Sequence, residues 1–124
     1  MPSGLRVHRR LCHRAADMPA YFECPHLGAQ VELTDERERH IRRLHPEVLT
    51  PGRNLIARTL SDPDLIRLDL REPASTWLFS CWYDQVRGGR HVIVGVVSEA
   101  GRHWVVTAFT AREVEERDIE WQRN

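Results

Sequence analysis

Two β-branched runs, "HVIVGVVS" (91–98) and "HWVVTAFT" (103–110), constrain this chain more than any other feature, and only "EAGR" separates them. Valine and isoleucine lose rotamer freedom in a helix and pack well on a pleated surface, so runs this dense read as strands. Neither run alternates with charge, which predicts strands buried on both faces. The glycine-containing break predicts a tight reversal between them. If "EAGR" closes a regular hairpin, residues 94 and 107 sit beside one another, and Val94, Val96, Val105 and Phe109 share one buried sheet.

Upstream of that pair the pattern is also strand-like. "LIRLDLR" sets Ile66, Leu68 and Leu70 against Arg67, Asp69 and Arg71, a strand with one wet face. "TWLFSCWYD" is aromatic-rich, and "QVRGGR" after it reads as a hairpin loop. Four consecutive strands joined by short turns predict an antiparallel meander. "AQVEL" is a further short strand candidate near the start of the patterned sequence.

Helical signals flank these strands. Thr34 offers an N-cap hydroxyl, and Asp35 and Glu36 place anions in a first turn, so a helix is expected from about Asp35 to Leu44. His45 precedes Pro46, which disfavours the α conformation and ends it. "RNLIARTL" predicts a second short helix, stopped by "SDPD". "AREVEERDIEWQRN" returns to helical spacing, with Val114, Ile119 and Trp121 as anchors of a final helix. The predicted class is α+β, with N-terminal helices packed on a four-stranded antiparallel meander sheet.

A length of 124 residues suits one core. Residues 18–124 are expected to form a single domain, and residues 1–17, basic and without apolar periodicity, a flexible arm outside it. No apolar run approaches the roughly 18–20 residues needed to span a bilayer, and the arginine-rich start has no apolar h-region. Cys12, Cys24 and Cys81 are odd in number and irregular in spacing, which predicts free thiols and a cytoplasmic location. The formal net charge is zero, so no global field gathers nucleic acid. All 18 basic residues are arginine, so a catalytic cation here is arginine or histidine.

The richest stretch for chemistry is "ERERHIRRLHPEVL", Glu36 to Leu49, with His40 and His45. A metal-binding pair on a helix needs i, i+4 spacing, which these two lack. Cys12, His13, Cys24 and His26 match no standard zinc spacing either, so neither a metal nor another cofactor is expected. Both histidines have structural readings as well. In these, His40 packs beneath the sheet with its ring satisfied, while His45 caps the helix C-terminus, where the dipole favours imidazolium.

The series "VELTDERERHIRRLHPEVL", "IARTLSDPDLI", "HVIVGVV" and "HWVVTAF" resembles the phage-associated members of the barnase, EndoU, colicin and RelE nuclease superfamily, over roughly Phe22 to Phe109. The resemblance implies a barnase/RelE-like fold and a metal-independent endoribonuclease, toxin-like in character, with its site on the sheet's concave face. Its partners would be RNA and a protein inhibitor, with no membrane. By match to the family's histidine helix, His40 is the first general acid or base and His45 the second. Arg90 becomes the phosphate clamp and Thr107 a hydroxyl donor to phosphate. Trp82 or Tyr83 would stack on a base. The superfamily's glutamate has no obvious counterpart on a meander strand, and Glu47 is the nearest carboxylate to the histidines. The alternative is a non-catalytic RNA- or protein-binding member of the same fold.

Overall fold

The computed structural model describes residues 19–50, 52–71 and 75–124. The basic arm expected over residues 1–17 lies outside them. Seven strands and two α-helices make up the described chain: β1 (Ala20–Cys24), β2 (Ala29–Leu33), α1 (Asp35–Leu44), α2 (Asn54–Ser61), β3 (Leu65–Asp69), β4 (Thr76–Tyr83), β5 (Arg90–Glu99), β6 (Arg102–Ala111) and β7 (Ile119–Gln122). A 3-10 turn, Pro46–Leu49, lies between the helices.

This corrects the predicted architecture. The sheet has seven strands in the order β1-β2-β6-β5-β4-β3-β7, and it is mixed, because β2 runs parallel to β6 at Glu32↔Trp104. β1 pairs with β2 from Ala20↔Leu33 to Cys24↔Ala29. Its alternation is short, with only Phe22 and Cys24 buried, which is why "AYFEC" gives no clear strand signal. The expected final helix is instead an irregular segment leading into β7. Val114, Ile119 and Trp121 are spaced by five and then two, and a spacing of two lines one side of a strand. The outer edge of β3 also carries backbone donors that need partners. Leu68 N–H donates to the Asp118 carbonyl, and Ile66 and Leu65 pair with Trp121 and Gln122.

Where sequence signals were local, the helices follow them. Thr34 Oγ1 accepts from Arg37 N–H at 3.2 Å and opens α1. His45 N–H bonds the Ile41 carbonyl, and Pro46 starts the 3-10 turn. Ile41, Val48, Leu49, Ile56 and Leu60 pack with Phe79, Val92, Val94, Val96, Val105 and Ala108 as one core between the helices and one face of the sheet. Burying side chains of this size is worth about 1.5–3 kcal/mol each before the entropy of ordering is set against it. Glu38, buried on α1, receives two 2.8 Å bonds from Arg53, at the entry to α2, and one of 3.2 Å from Arg42. The Arg53 guanidinium holds the Glu38 carboxyl below its ordinary value, against the opposing effect of burial.

The β5–β6 hairpin turns through Ala100 and Gly101, at φ 53° and 78°, the left-handed pair of a two-residue hairpin turn. After four rungs its register shifts. Val96 pairs with Val105 but Gly95 pairs with Thr107, so Val106 is an extra residue, a β-bulge. Val94 therefore faces Ala108 and not Thr107. Because side chains alternate, this moves Thr107 to the face away from the helices and turns Ala108 and Thr110 toward them. Val94, Val96 and Val105 are fully buried on the helix side. Phe109, opposite Ile93, belongs to the other face. Gly95 makes room for the displaced threonine, since a Cβ there would stand 2.8 Å from Thr107 Cγ2.

Candidate functional site

The C-terminal end of β4 and β6 and the start of β5 meet at one end of the sheet, and the 3-10 turn after α1 lies against the edge of β6 there. β6 pairs with β2 at the one register position Glu32↔Trp104, and its C-terminal half pairs with no strand on that side. Thr110 Oγ1, on the helix side, donates to Glu47 Oε2 at 2.9 Å. His45 Nδ1 lies 3.9 Å from the same oxygen, and its ring sits 6.1 Å from that of Phe109. Glu47 Oε1 and His45 Nε2 have no bonding partner among the described residues. An imidazole and a carboxylate are thus held together, each with one free atom.

Glu47 also lines a cleft of about 530 Å³ with Asn54, Leu55, Gln85 and Arg87. The far wall is the β4–β5 turn, where Arg87 takes a left-handed φ of 47°. Arg90 opens β5 opposite Tyr83, on the same face as Val92, whose cross-strand partner is Thr110. Diagonal neighbours of this kind lie about 7–8 Å apart, which sets Arg90 near the Thr110–Glu47 bond. Its guanidinium donates to the Gly89 carbonyl at 2.8 Å. Arg87, which lines the cleft, and Arg90 have no carboxylate partner among the described residues, and neither do Arg37, Arg43, Arg58 and Arg112. Arg39, Arg42, Arg53, Arg67, Arg71, Arg102, Arg117 and Arg123 are all paired with acids. An unpaired arginine lining a cleft, as Arg87 does, retains its donors for an incoming anion.

The residues singled out from sequence do not all meet here. His45 and Arg90 belong to this end of the sheet. His40 is half-buried on α1, and its only polar partner among the described residues is Arg43, 3.4 Å from Nδ1. No hydrogen bond or ion pair among the described residues joins it to Arg90 or Thr107. The bulge places Thr107 on the opposite face, and the threonine that meets the acid is Thr110. Tyr83 is corrected to a core residue. It is 2% exposed, its hydroxyl lies 2.9 Å from Thr59 Oγ1, and burial pushes its phenol above the ordinary value. Trp82, beside it, is 43% exposed on the other face. Thr110 and Arg87 were missed: a bulge has no signature in a run of valines, and an arginine beside glycines reads as loop charge.

Among the described residues no group of three or more histidine, cysteine, aspartate or glutamate side chains could hold a metal ion. Cys24 and Cys81 are buried free thiols. Also among the described residues, no helix is long and apolar enough to cross a membrane. Compared with protein-family models, curated proteins and solved structures, the chain finds no match in any of the three.

Proposed function

We propose that this protein is a metal-independent endoribonuclease, with His45 and Glu47 as its acid/base pair. The observation that carries the reading is the Thr110–Glu47–His45 array, whose Glu47 lines a cleft walled by Arg87. RNA holds its own nucleophile, so cleavage needs only a base, an acid and positive charge on the phosphate. Glu47 takes the proton from a ribose 2′-OH, and the freed oxygen attacks the adjacent phosphorus. As the P–O5′ bond breaks, His45 delivers a proton from Nε2 to the departing 5′ oxygen. The products are a 2′,3′-cyclic phosphate and a free 5′-hydroxyl.

Thr110 holds the carboxylate toward the imidazole. Arg87 and Arg90 neutralise the charge that grows on the non-bridging oxygens of the transition state. Such a pair requires one group ionised and the other protonated, so the rate passes through a maximum with pH. In the test, wild type, His45→Ala and Glu47→Gln are incubated with single-stranded RNA in EDTA. Wild type is expected to leave 2′,3′-cyclic ends, and each variant to be slower by roughly 10²-fold or more. Absence of cleavage by wild type, or unchanged cleavage by both variants, would remove the reading.

A further inference from the structure

The same end of the sheet presents a second feature on its other face, and the cleft does not use it. Trp82 is exposed yet fixed. Its Nε1–H donates to Asp84 Oδ1 at 2.7 Å, and its ring meets that of His91 edge-on at 4.9 Å. Its backbone N–H donates to Asp64 Oδ2 at 2.8 Å. Gly89 lies against the Cζ2 edge of the indole, where a Cβ would come within 2.7 Å of the ring. Exposed aromatics are ordinary, but a surface indole held in one orientation by a hydrogen bond, an edge-on ring and a close glycine at its edge is a preorganised plane.

The surroundings indicate what lies on that plane. The β4–β5 turn that carries Trp82 at its base also carries Arg87 at its tip, on the lip of the cleft. Trp82 is two strands from Thr110, roughly 10 Å across the sheet. Asp84 occupies the indole N–H and would repel a phosphate at that edge, so phosphates pass on the arginine side and a base meets the ring. A hollow of about 310 Å³ lies on the same face, lined by Ser80, His91, Glu116 and Gln122 among others. His91 Nδ1 is buried there without a hydrogen-bond partner among the described residues, a debt that a ligand's polar edge relieves.

We propose that Trp82 is the floor of a nucleobase subsite for single-stranded RNA, reached by a strand that leaves the cleft over the β4–β5 turn. This rests on the ribonuclease reading and adds to it a substrate: unpaired RNA longer than a dinucleotide. Bases stack on aromatic planes largely irrespective of sequence, and a paired base has no free face to offer.

The test uses a fluorescently labelled, uncleavable 2′-O-methyl pentanucleotide and measures binding by anisotropy. Trp82→Ala is expected to weaken the pentamer by about tenfold or more, the scale of one lost stacking contact. Trp82→Phe should recover most of it, and a 2′-O-methyl dinucleotide should bind all three proteins alike. Duplex RNA should bind without dependence on Trp82. Equal pentamer affinity in wild type and Trp82→Ala overturns the subsite, as does a wild type that does not bind the pentamer. Trp82-dependent binding by a protein that cuts no RNA would leave the subsite standing and remove the nuclease reading instead.

Discussion

His45 and His40 stand on neighbouring turns of one sequence motif, yet their surroundings differ. His45 has a carboxylate at 3.9 Å and an open cleft beside that carboxylate, whereas His40 has an arginine for company. His40→Ala is therefore expected to cleave RNA at close to the wild-type rate, while His45→Ala loses roughly 10²-fold with little change in melting temperature. Initial rates and thermal melts on the two variants decide it, and the reverse order would return the chemistry to α1. Gly95 is the second residue-scale case. Gly95→Ala puts a methyl 2.8 Å from Thr107 Cγ2 inside a paired strand, and overpacking of this kind costs about 1–3 kcal/mol. Adding Thr107→Ala removes the opposing methyl and should restore most of the stability in chemical denaturation. A double variant no more stable than Gly95→Ala alone would place the strain elsewhere.

Between elements, the Glu38–Arg53 pair ties α1 to the start of α2 and so sets where the 3-10 turn carrying Glu47 can lie. Glu38 has its folded-state value lowered by Arg53, so its stabilisation is present above the unfolded glutamate value, about 4.3, and fades as pH falls through the lower folded one. Glu38→Gln should cost about 1–3 kcal/mol at neutral pH, the range for a charged hydrogen bond. The gap between wild type and variant should narrow as urea melts are moved toward pH 3. A gap that stays constant would mean that the carboxylate's charge is not what Arg53 holds.

What could be read in advance at this scale was whatever one segment decides alone. Thr34 with the acids after it marked α1, and the glycine of "EAGR" marked the hairpin turn. The elements that escaped depend on distant partners. β7 exists because β3 offers an open edge, and β1 because β2 does. The bond between Thr110 and Glu47 spans 63 positions and forms only after Val106 has shifted the register.

Across the whole molecule, the described chain closes where Arg123 grips the "DPD" turn. It bonds the Asp62 and Asp64 carboxylates and the Pro63 carbonyl, and its own N–H donates to the Asp64 carbonyl at 2.9 Å. That grip keeps β7 on β3, although Ile119 and Trp121 are each 39% exposed. Arg123→Ala should lower the melting temperature modestly. Removing residues 119–124 should lower it further and promote self-association, because β3 then becomes a bare edge. Sedimentation of the truncated protein tests this, and a stable monomer would show that β3 needs no cover.

The extra residue at Val106 has a different kind of consequence. It acts as a phase marker midway along β6, and every side chain of the strand beyond it owes its compartment to that single insertion. Losing one codon there would leave composition, charge and hydropathy almost untouched. It would nevertheless exchange the two populations of side chains, withdrawing Thr110 from Glu47 and sending Thr107 and Phe109 into the space beneath the helices. The distance between this sequence and one that cannot form the Thr110–Glu47 bond is therefore a single amino acid, at a position that takes no part in that bond.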